Sequence, residues 1–138
     1  MDRFISNDNT VFDSQTGLDW LKNANYFNRP MLWQEAVEVC AKLDISGGGW
    51  RLPERLELES LLDLTQRYPP LPKGHPFKEV QSSYYWSATT YTYNASYAWV
   101  VIMHCGYVSS RSKTYNHYYV WPVRGGQENY SNGTLLHR

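Results

Sequence analysis

The sequence predicts one α+β domain, and three observations support this prediction. Two short apolar stretches near the start, Thr10–Asp13 and Leu18–Leu21, flank a turn-forming segment. Apolar side chains then recur at helical spacing over residues 31–43. The second half of the chain falls into short runs rich in Tyr, Trp, Val and Thr, which are typical of strands. A length of 138 residues is that of a single domain.

The two N-terminal stretches are predicted to pair as a hairpin. Residues 13–17 between them read Asp-Ser-Gln-Thr-Gly, which is turn chemistry. Gly17 supplies the residue that adopts a positive φ at low cost.

Two helices are predicted before the strand-rich half. The first covers residues 31–43, and the glycine run at 47–49 ends that region. The second begins near Pro53, because proline suits the first turn and the glutamates that follow favour the helix dipole. The predicted buried faces are Trp33, Val37, Cys40 and Leu43 in the first helix, and Leu58, Leu61 and Leu62 in the second.

The rest of the chain is predicted as a proline-rich loop, four strands and a tail. The loop covers residues 68–81, and the strands are expected at 84–89, 97–103, 107–109 and 118–123. Pro122 makes the last strand an edge strand or kinks it. We expect the domain to span residues 1–127 and the tail residues 128–138.

Composition excludes several classes of protein. The chain carries 13 basic and 13 acidic residues, and this balance argues against a nucleic-acid binder. No apolar run approaches the ~20 residues of a membrane span, so no membrane insertion is expected. The N-terminus does not have the pattern of a signal peptide. Localisation therefore stays open, with display on a phage, a virus particle or a cell surface as one route.

Charge and tyrosine are distributed unevenly. Residues 1–79 hold 12 acidic and 9 basic side chains, whereas residues 80–127 hold no acidic and three basic ones. Nine of the twelve tyrosines lie between Tyr84 and Tyr119. The two halves of the domain therefore have different roles, and the second half is the candidate contact surface.

The motifs resemble the Lcl C-terminal domain family over residues 3–127. The resemblance rests on Thr-Gly-Leu-Asp-Trp at 16–20, Trp-Arg-Leu-Pro at 50–53, Tyr-Trp-Ser-Ala-Thr at 85–89 and Pro-Val-Arg-Gly-Gly at 122–126. It implies a C-type-lectin-like fold, in the branch shared with formylglycine-generating enzymes. In that fold two helices pack on a small twisted antiparallel sheet with long binding loops.

The tryptophans and arginines of these motifs are expected to be structural. The core is predicted to contain Trp20, Trp50, Trp86, Trp99 and Trp121. Arg51 and Arg124 lie in apolar strings, so each needs a polar partner. We expect salt bridges to Asp19, Glu57 or Asp63, with ligand binding by the arginines as the alternative.

Three chemistries each need residues that this sequence does not supply. Calcium binding needs converging oxygen ligands, which the acid-free residues 80–127 do not supply. A zinc site from His75, His104, Cys105 and His117 fails on ligand spacing. Formylglycine-type oxidase chemistry needs a pair of accessible thiols, whereas Cys40 is expected in the core. We therefore expect no metal, no cofactor and no enzyme. A disulfide between Cys40 and Cys105 stays open.

The C-terminal half is predicted to form a binding face. Tyrosine gives large contact area at low entropic cost, and Ser and Asn give adaptable hydrogen bonds. The alternative is a strand-rich surface in which Tyr and Thr are simply good strand formers. The candidate ligand-binding residues are Tyr84, Tyr91, Tyr93, Asn94, Tyr97, His104, Tyr107, Ser110, Arg111, Tyr115, Asn116 and His117.

Two hypotheses describe what this face binds. Variable proteins of diversity-generating retroelements resemble this fold and family, and their binding residues arise from adenine-specific mutagenesis, which yields a similar residue set. The first hypothesis is such a variable protein with a protein or glycan target. The second is a fixed adhesin module that binds anionic glycans, because Arg111 and Lys113 lie in acid-free surroundings. An edge strand and exposed tyrosines also favour self-association into a homo-oligomer.

Overall fold

The computed structural model describes residues 2–126, and within them the chain forms two antiparallel sheets and two α-helices. The predicted α+β class is confirmed, and the lectin-like details remain a resemblance. The predicted tail at 128–138 lies outside the described residues. The strands are β1 (Phe4–Ser6), β2 (Thr10–Asp13), β3 (Leu18–Leu21), β4 (Tyr84–Thr90), β5 (Tyr97–Ile102), β6 (Val108–Ser112) and β7 (Val123–Gly125), and the helices are α1 (Trp33–Lys42) and α2 (Arg55–Glu59).

The first sheet has the strand order β1-β2-β3-β7. The predicted hairpin is confirmed, with Thr10 opposite Leu21 and Asp13 opposite Leu18. Its turn closes when the N–H of Gly17 donates to the carbonyl oxygen of Asp13 at 2.8 Å. Gly17 has a φ of 75°, which a residue with a Cβ adopts only at a cost.

Both predicted helices are present. Helix α1 lies within the predicted range 31–43 and buries Ala36 and Cys40. Helix α2 begins two residues after Pro53 and has only five residues. Its start is fixed by Glu57, whose carboxylate accepts the backbone N–H of Glu54 at 2.8 Å.

The second sheet has the strand order β4-β5-β6. Trp86 lies opposite Val100, but Thr90 lies opposite Ala98, so the register shifts between Trp86 and Thr90. The extra residues bend β4 at its end, which is the usual effect of such a bulge.

The predicted strand at 118–123 is wrong as a continuous strand. The segment makes separate bridges instead: Tyr118 with Met31, Tyr119 with Tyr85, and Val123 with Arg51. It passes from the second sheet to the first, where its end becomes β7. Pro122 lies outside any strand, directly before β7, and its carbonyl oxygen accepts the N–H of Leu21 at 3.1 Å.

Two hydrophobic clusters lie on the two faces of the second sheet. One contains Trp86, Ala98 and Val100, and it packs against α1. The other contains Tyr85 and Val101, together with side chains of α2 and of the first sheet. The second sheet is therefore sandwiched near β4 and β5, whereas β6 is half-buried along most of its length. Within residues 2–126 there is no helix long and apolar enough to cross a membrane.

Candidate binding surface

The loop between β4 and β5 is closed by its own backbone. The N–H of Tyr97 donates to the carbonyl oxygen of Asn94 at 2.9 Å, and the N–H of Tyr91 donates to that of Tyr97 at 2.9 Å. The side-chain oxygen of Asn94 accepts the N–H of Ser96 at 3.0 Å. Such bonds fix a loop locally, so its side chains are presented with little ordering left to do.

The segment after β6 is held by one hydroxyl. Ser112 Oγ accepts the backbone N–H groups of Thr114 and Tyr115, both at 3.3 Å. The amide of Asn116 donates to the carbonyl oxygen of Ser112 at 3.3 Å. Ser112 is itself buried, so this turn is anchored in the sheet.

These two loops meet at one end of the second sheet. The N–H of Lys113 donates to the carbonyl oxygen of Ser96 at 2.8 Å. Each loop carries a tyrosine that is almost fully exposed, Tyr93 at 86% and Tyr115 at 85%. We call the six predicted site residues on these loops the tyrosine surface: Tyr91, Tyr93, Asn94, Tyr97, Tyr115 and Asn116.

Trp99 packs against the tyrosine surface from within the sheet, and the sequence did not predict it as a site residue. Its predicted core position is wrong, because its side chain is only half-buried. The Tyr91 ring meets it edge-on at 5.3 Å, and the Arg55 guanidinium lies 4.1 Å from its ring centroid. The pattern that could have shown this is the alternation along β5, which places Tyr97 and Trp99 on the same face.

Three other predicted site residues lie at the opposite end of the sheet. His104 and Tyr107 lie in the β5–β6 turn, and Tyr84 pairs with Ile102 next to it. Since β5 has six residues, the two ends are about 17 Å apart. Tyr107 is 71% exposed, and the His104 ring packs against that of Tyr68. The structure therefore does not bring these residues together with the tyrosine surface.

Ser110 and Arg111 point to opposite faces of β6. Ser110 lies opposite Trp99, and Arg111 lies opposite Ala98. The Arg111 guanidinium contacts the Ser109 hydroxyl and lies 5.3 Å from the centroid of Tyr84. It therefore belongs to the face that carries α1, away from Trp99.

His117 lies near the start of α1. The pKa of Glu35 is lowered, mainly by its hydrogen bond with Arg29, and the charge of His117 contributes to the same shift. His117 is exposed, and it follows the tyrosine surface along the chain.

Both motif arginines have the carboxylate partners expected of structural residues. Arg51 binds the buried Glu57 through two bonds of 2.7 Å. Arg124 binds Asp19 at 3.0 Å, and its guanidinium lies 4.3 Å from the centroid of the Trp50 ring. The expectation of salt bridges to Glu57 and Asp19 is confirmed.

The two cysteines are both free, so the disulfide alternative is wrong. Cys40 is buried on α1, and burial raises the pKa of its thiol to about 12. Cys105 is partly buried in the β5–β6 turn. Among the described side chains, no three His, Cys, Asp or Glu residues are grouped so that they would hold a metal ion.

A groove of about 740 Å³ lies away from all of these residues. One wall is formed by residues 2–6 and the other by residues 72–76. None of the residues of the tyrosine surface lines this groove, and two of them, Tyr93 and Tyr115, are almost fully exposed.

The fold and the surface define a small α+β domain in which a sandwiched sheet carries two hydrogen-bonded, tyrosine-bearing loops at one end. The model of the Lcl C-terminal domain matches residues 9–124, and the chain belongs to that family. Searches of the curated proteins and of the solved structures find no match.

Proposed function

We propose that this protein is a non-catalytic ligand-binding protein that contacts its target through the tyrosine surface. The observation that carries the proposal is that two internally bonded loops meet and expose Tyr93 and Tyr115. Tyrosine is enriched at interfaces because it combines a large apolar ring with a polar hydroxyl group.

The geometry of these loops favours binding energetically. A tyrosine has two rotatable side-chain bonds, so fixing it against a target costs little entropy. The loop backbones are already held by the Asn94 and Ser112 side chains, so they need little ordering. Tyr91 packs between Tyr93 and Trp99, which limits its motion further.

We further propose that the surface is diversified by a diversity-generating retroelement. The support is that the exposed loop positions hold Tyr, Asn, Ser and His, which adenine mutagenesis of Asn-type codons yields. The fold also places some Tyr and Ser residues on the surface and buries others, such as Tyr85 and Ser87, in hydrogen-bonded positions. Tyr85 donates to the carbonyl oxygen of Ala24, and Ser87 donates to that of Trp99.

The test is deep sequencing of codons 80 to 124 in a natural population. We expect adenine-derived substitutions at Tyr93, Asn94 and Tyr115. Tyr85, Ser87 and Ser112 are matched controls, because they share residue types with the variable positions but are buried and hydrogen-bonded. An invariant stretch, or variation spread equally over the buried controls, would reject diversification.

A fixed module that binds anionic glycans is the second candidate, and one observation favours it. Arg111 and Lys113 are two residues apart, and neither forms an ion pair with any described residue. Lys113 Nζ lies 4.0 Å from the Trp33 ring centroid and 2.9 Å from Thr90 Oγ1. Two unneutralised cations beside aromatic rings suit a sulfated sugar.

Heparin chromatography tests this second candidate. Neutralising both cations in Arg111→Gln/Lys113→Gln is expected to lower the salt concentration at which the protein elutes. Lys42→Gln/Lys73→Gln removes the same net charge at exposed positions elsewhere and serves as the control. Equal elution of the two double variants would exclude a specific site at Arg111 and Lys113.

We propose that the protein catalyses no oxidase reaction of the formylglycine-generating type. That chemistry needs two accessible thiols close together. Cys40 is buried on α1, whereas Cys105 lies in the β5–β6 turn. Turnover of a cysteine-containing peptide that is lost in both Cys40→Ser and Cys105→Ser would contradict this proposal. We also expect target binding to survive a chelator.

A further inference from the structure

Among the four sheet edges of the described residues, two are covered by backbone bonds from other parts of the chain, and a third, the β6 edge, is partly covered by side chains. At the β4 edge, the N–H of Trp86 donates to the carbonyl oxygen of Tyr119 at 3.0 Å. The N–H of Ala88 donates to the carbonyl oxygen of Pro53 at 2.7 Å. At the β7 edge, Arg51 and Val123 exchange two backbone bonds of 2.8 and 2.9 Å. Neither edge can pair with another strand without losing these bonds.

Side chains block part of the β6 edge. The register directs the carbonyl groups of Ser110 and Ser112 away from β5. The Arg111 guanidinium donates to the carbonyl oxygen of Ser110 at 3.0 Å, and the Asn116 amide donates to that of Ser112 at 3.3 Å. Two of the four outward groups of these residues are therefore occupied, and a charged side chain lies along the edge.

The β1 edge differs from the other three. The N–H of Asn7 donates to the carbonyl oxygen of Thr10, and the N–H of Ser14 donates to that of Arg3. These two bonds fix which backbone groups of β1 face β2. They leave the N–H and C=O groups of Phe4 and Ser6 facing outward, and no described residue bonds to them. The groove of about 740 Å³ lies directly beside this strand.

Exposed apolar side chains lie next to this open edge. Ile5 is directly opposite Phe12, so the two share one sheet face. Ile5 is 48% exposed and Phe12 is 38% exposed. An open strand edge beside an exposed apolar pair is a surface that pairs with another strand.

We propose that β1 is the interface of a two-fold symmetric dimer, in which β1 of one copy pairs antiparallel with β1 of the other about Ile5. Phe4 then exchanges two backbone hydrogen bonds with Ser6 of the partner subunit, and Ser6 does the same with Phe4 of the partner subunit. The two four-stranded sheets join into one sheet of eight strands.

The β1 edge suits a second copy for three reasons. Its outward groups lie at equal distances on either side of Ile5, so the edge is complementary to itself. The two-fold axis brings both pairs of Ile5 and Phe12 into one apolar cluster. No residue of Phe4–Ser6 is charged, and the neighbouring Arg3 is already paired with Asp13, so the paired strands themselves bring no like charges together.

The dimer would leave the tyrosine surface free, because that surface belongs to the second sheet. Two copies of a weak binding surface would then act on one target particle together, which raises apparent affinity without new contacts. The dimer itself does not depend on the proposed binding function, and the tests below need no ligand.

Disulfide trapping tests the register. In the pairing proposed, the two Ile5 Cα atoms are about 4.5 Å apart, within the range that a disulfide spans. Ile5→Cys in a Cys105→Ser background is expected to form a covalent dimer under mild oxidation. Ser6→Cys in the same background is the matched control, since Ser6 faces Phe4 of the partner subunit. No cross-link at residue 5, or equal cross-linking of both variants, would overturn the proposal.

Sedimentation equilibrium of the full chain tests the dimer without cross-links. Ile5→Lys places like charges on the axis and is expected to raise the dimer dissociation constant at least tenfold. Ser6→Pro removes an outward N–H that β2 does not use, so it is expected to weaken the dimer with the fold intact. Leu64→Lys changes another exposed apolar residue and should have no effect.

Two outcomes of this experiment would overturn the proposal. One is a wild-type protein that stays monomeric at every concentration, which would leave the β1 edge to an extended peptide of another protein. The other is a dimer that resists both Ile5→Lys and Ser6→Pro, or that dissociates equally in Leu64→Lys, because its interface would then lie elsewhere.

Discussion

The buried hydroxyl of Ser112 accepts the backbone N–H of Tyr115 at 3.3 Å, and in this way the sheet sets the position of an almost fully exposed aromatic side chain. Ser112→Ala leaves the N–H groups of Thr114 and Tyr115 without this acceptor. We expect a loss of about 1 kcal/mol in the free energy of unfolding, and faster amide exchange confined to residues 113–116. Hydrogen-exchange mass spectrometry and urea denaturation measure both effects.

Ser96→Ala is the control for this prediction. Ser96 uses its backbone N–H and carbonyl groups in the loop contacts, and these survive the substitution. Unchanged exchange at residues 113–116 in Ser112→Ala would mean that the hydroxyl does not hold the turn.

The Arg51–Glu57 pair is expected to be important for stability. Glu57 is fully buried, and Arg51→Met would leave its carboxylate without the guanidinium. Because the Arg51 side chain is 22% exposed, we expect the lower end of the usual cost of breaking a buried pair, about 3 kcal/mol. Chemical denaturation measures the change. Arg29→Met, which breaks the exposed pair with Glu35, should be close to neutral.

The two thiols are expected to differ in reactivity. Burial raises the pKa of Cys40 to about 12, so its thiolate is scarce at pH 8, and its sulfur is inaccessible. An aromatic disulfide reagent should therefore modify Cys105 in the native protein and Cys40 only after unfolding. Absorbance titration measures this, and Cys105→Ser should show no native reaction. A fast native reaction in that variant would place Cys40 within reach of solvent.

Stability is expected to fall as pH drops below about 6.5, because of His75. Burial lowers the pKa of His75 in the folded protein, and its Nδ1 accepts the N–H of Phe77 at 3.2 Å. In the unfolded chain, His75 takes up a proton at its ordinary pKa of about 6.5. The unfolded state is therefore stabilised relative to the folded state as the pH falls from about 6.5 towards the lower pKa that His75 has in the folded protein. Thermal melting from pH 7.5 to 5 measures this effect.

His75→Asn provides the comparison for the pH series. Asparagine retains a hydrogen-bond acceptor but does not titrate in this range. The variant should lose less stability than the wild type between pH 7 and 5.5. Parallel curves for the two proteins would assign the pH dependence to other groups.

The sequence predicted the local elements well because short-range patterns decide them. Gly17 and the turn residues before it were enough to place the first hairpin. The helical spacing of Trp33, Val37 and Cys40 was enough to place α1. Helix α2 ends earlier than expected because the N–H groups of Leu61 and Leu62 bond to the carbonyl oxygens three residues back, at 3.1 and 3.0 Å, and not to those four residues back.

The arrangement of the candidate site could not be predicted, because it depends on pairing between distant strands. The register shift between Trp86 and Thr90 decides how the β4–β5 loop leaves the sheet. Whether Ser110 or Arg111 shares a face with Trp99 follows from the β5–β6 register alone. The sequence contains the tyrosines but not the fact that Tyr107 and Tyr93 lie at opposite sheet ends.

The path of the segment at 118–123 has a consequence for protein synthesis. This segment supplies the strand-like contacts of Met31, Tyr85 and Arg51, and it continues into the strand that completes the first sheet. A ribosome makes these residues after both helices and the first six strands of the domain. The hairpin and α1 therefore emerge long before their closing partners exist, and both cores can be completed only when translation of the domain is nearly finished.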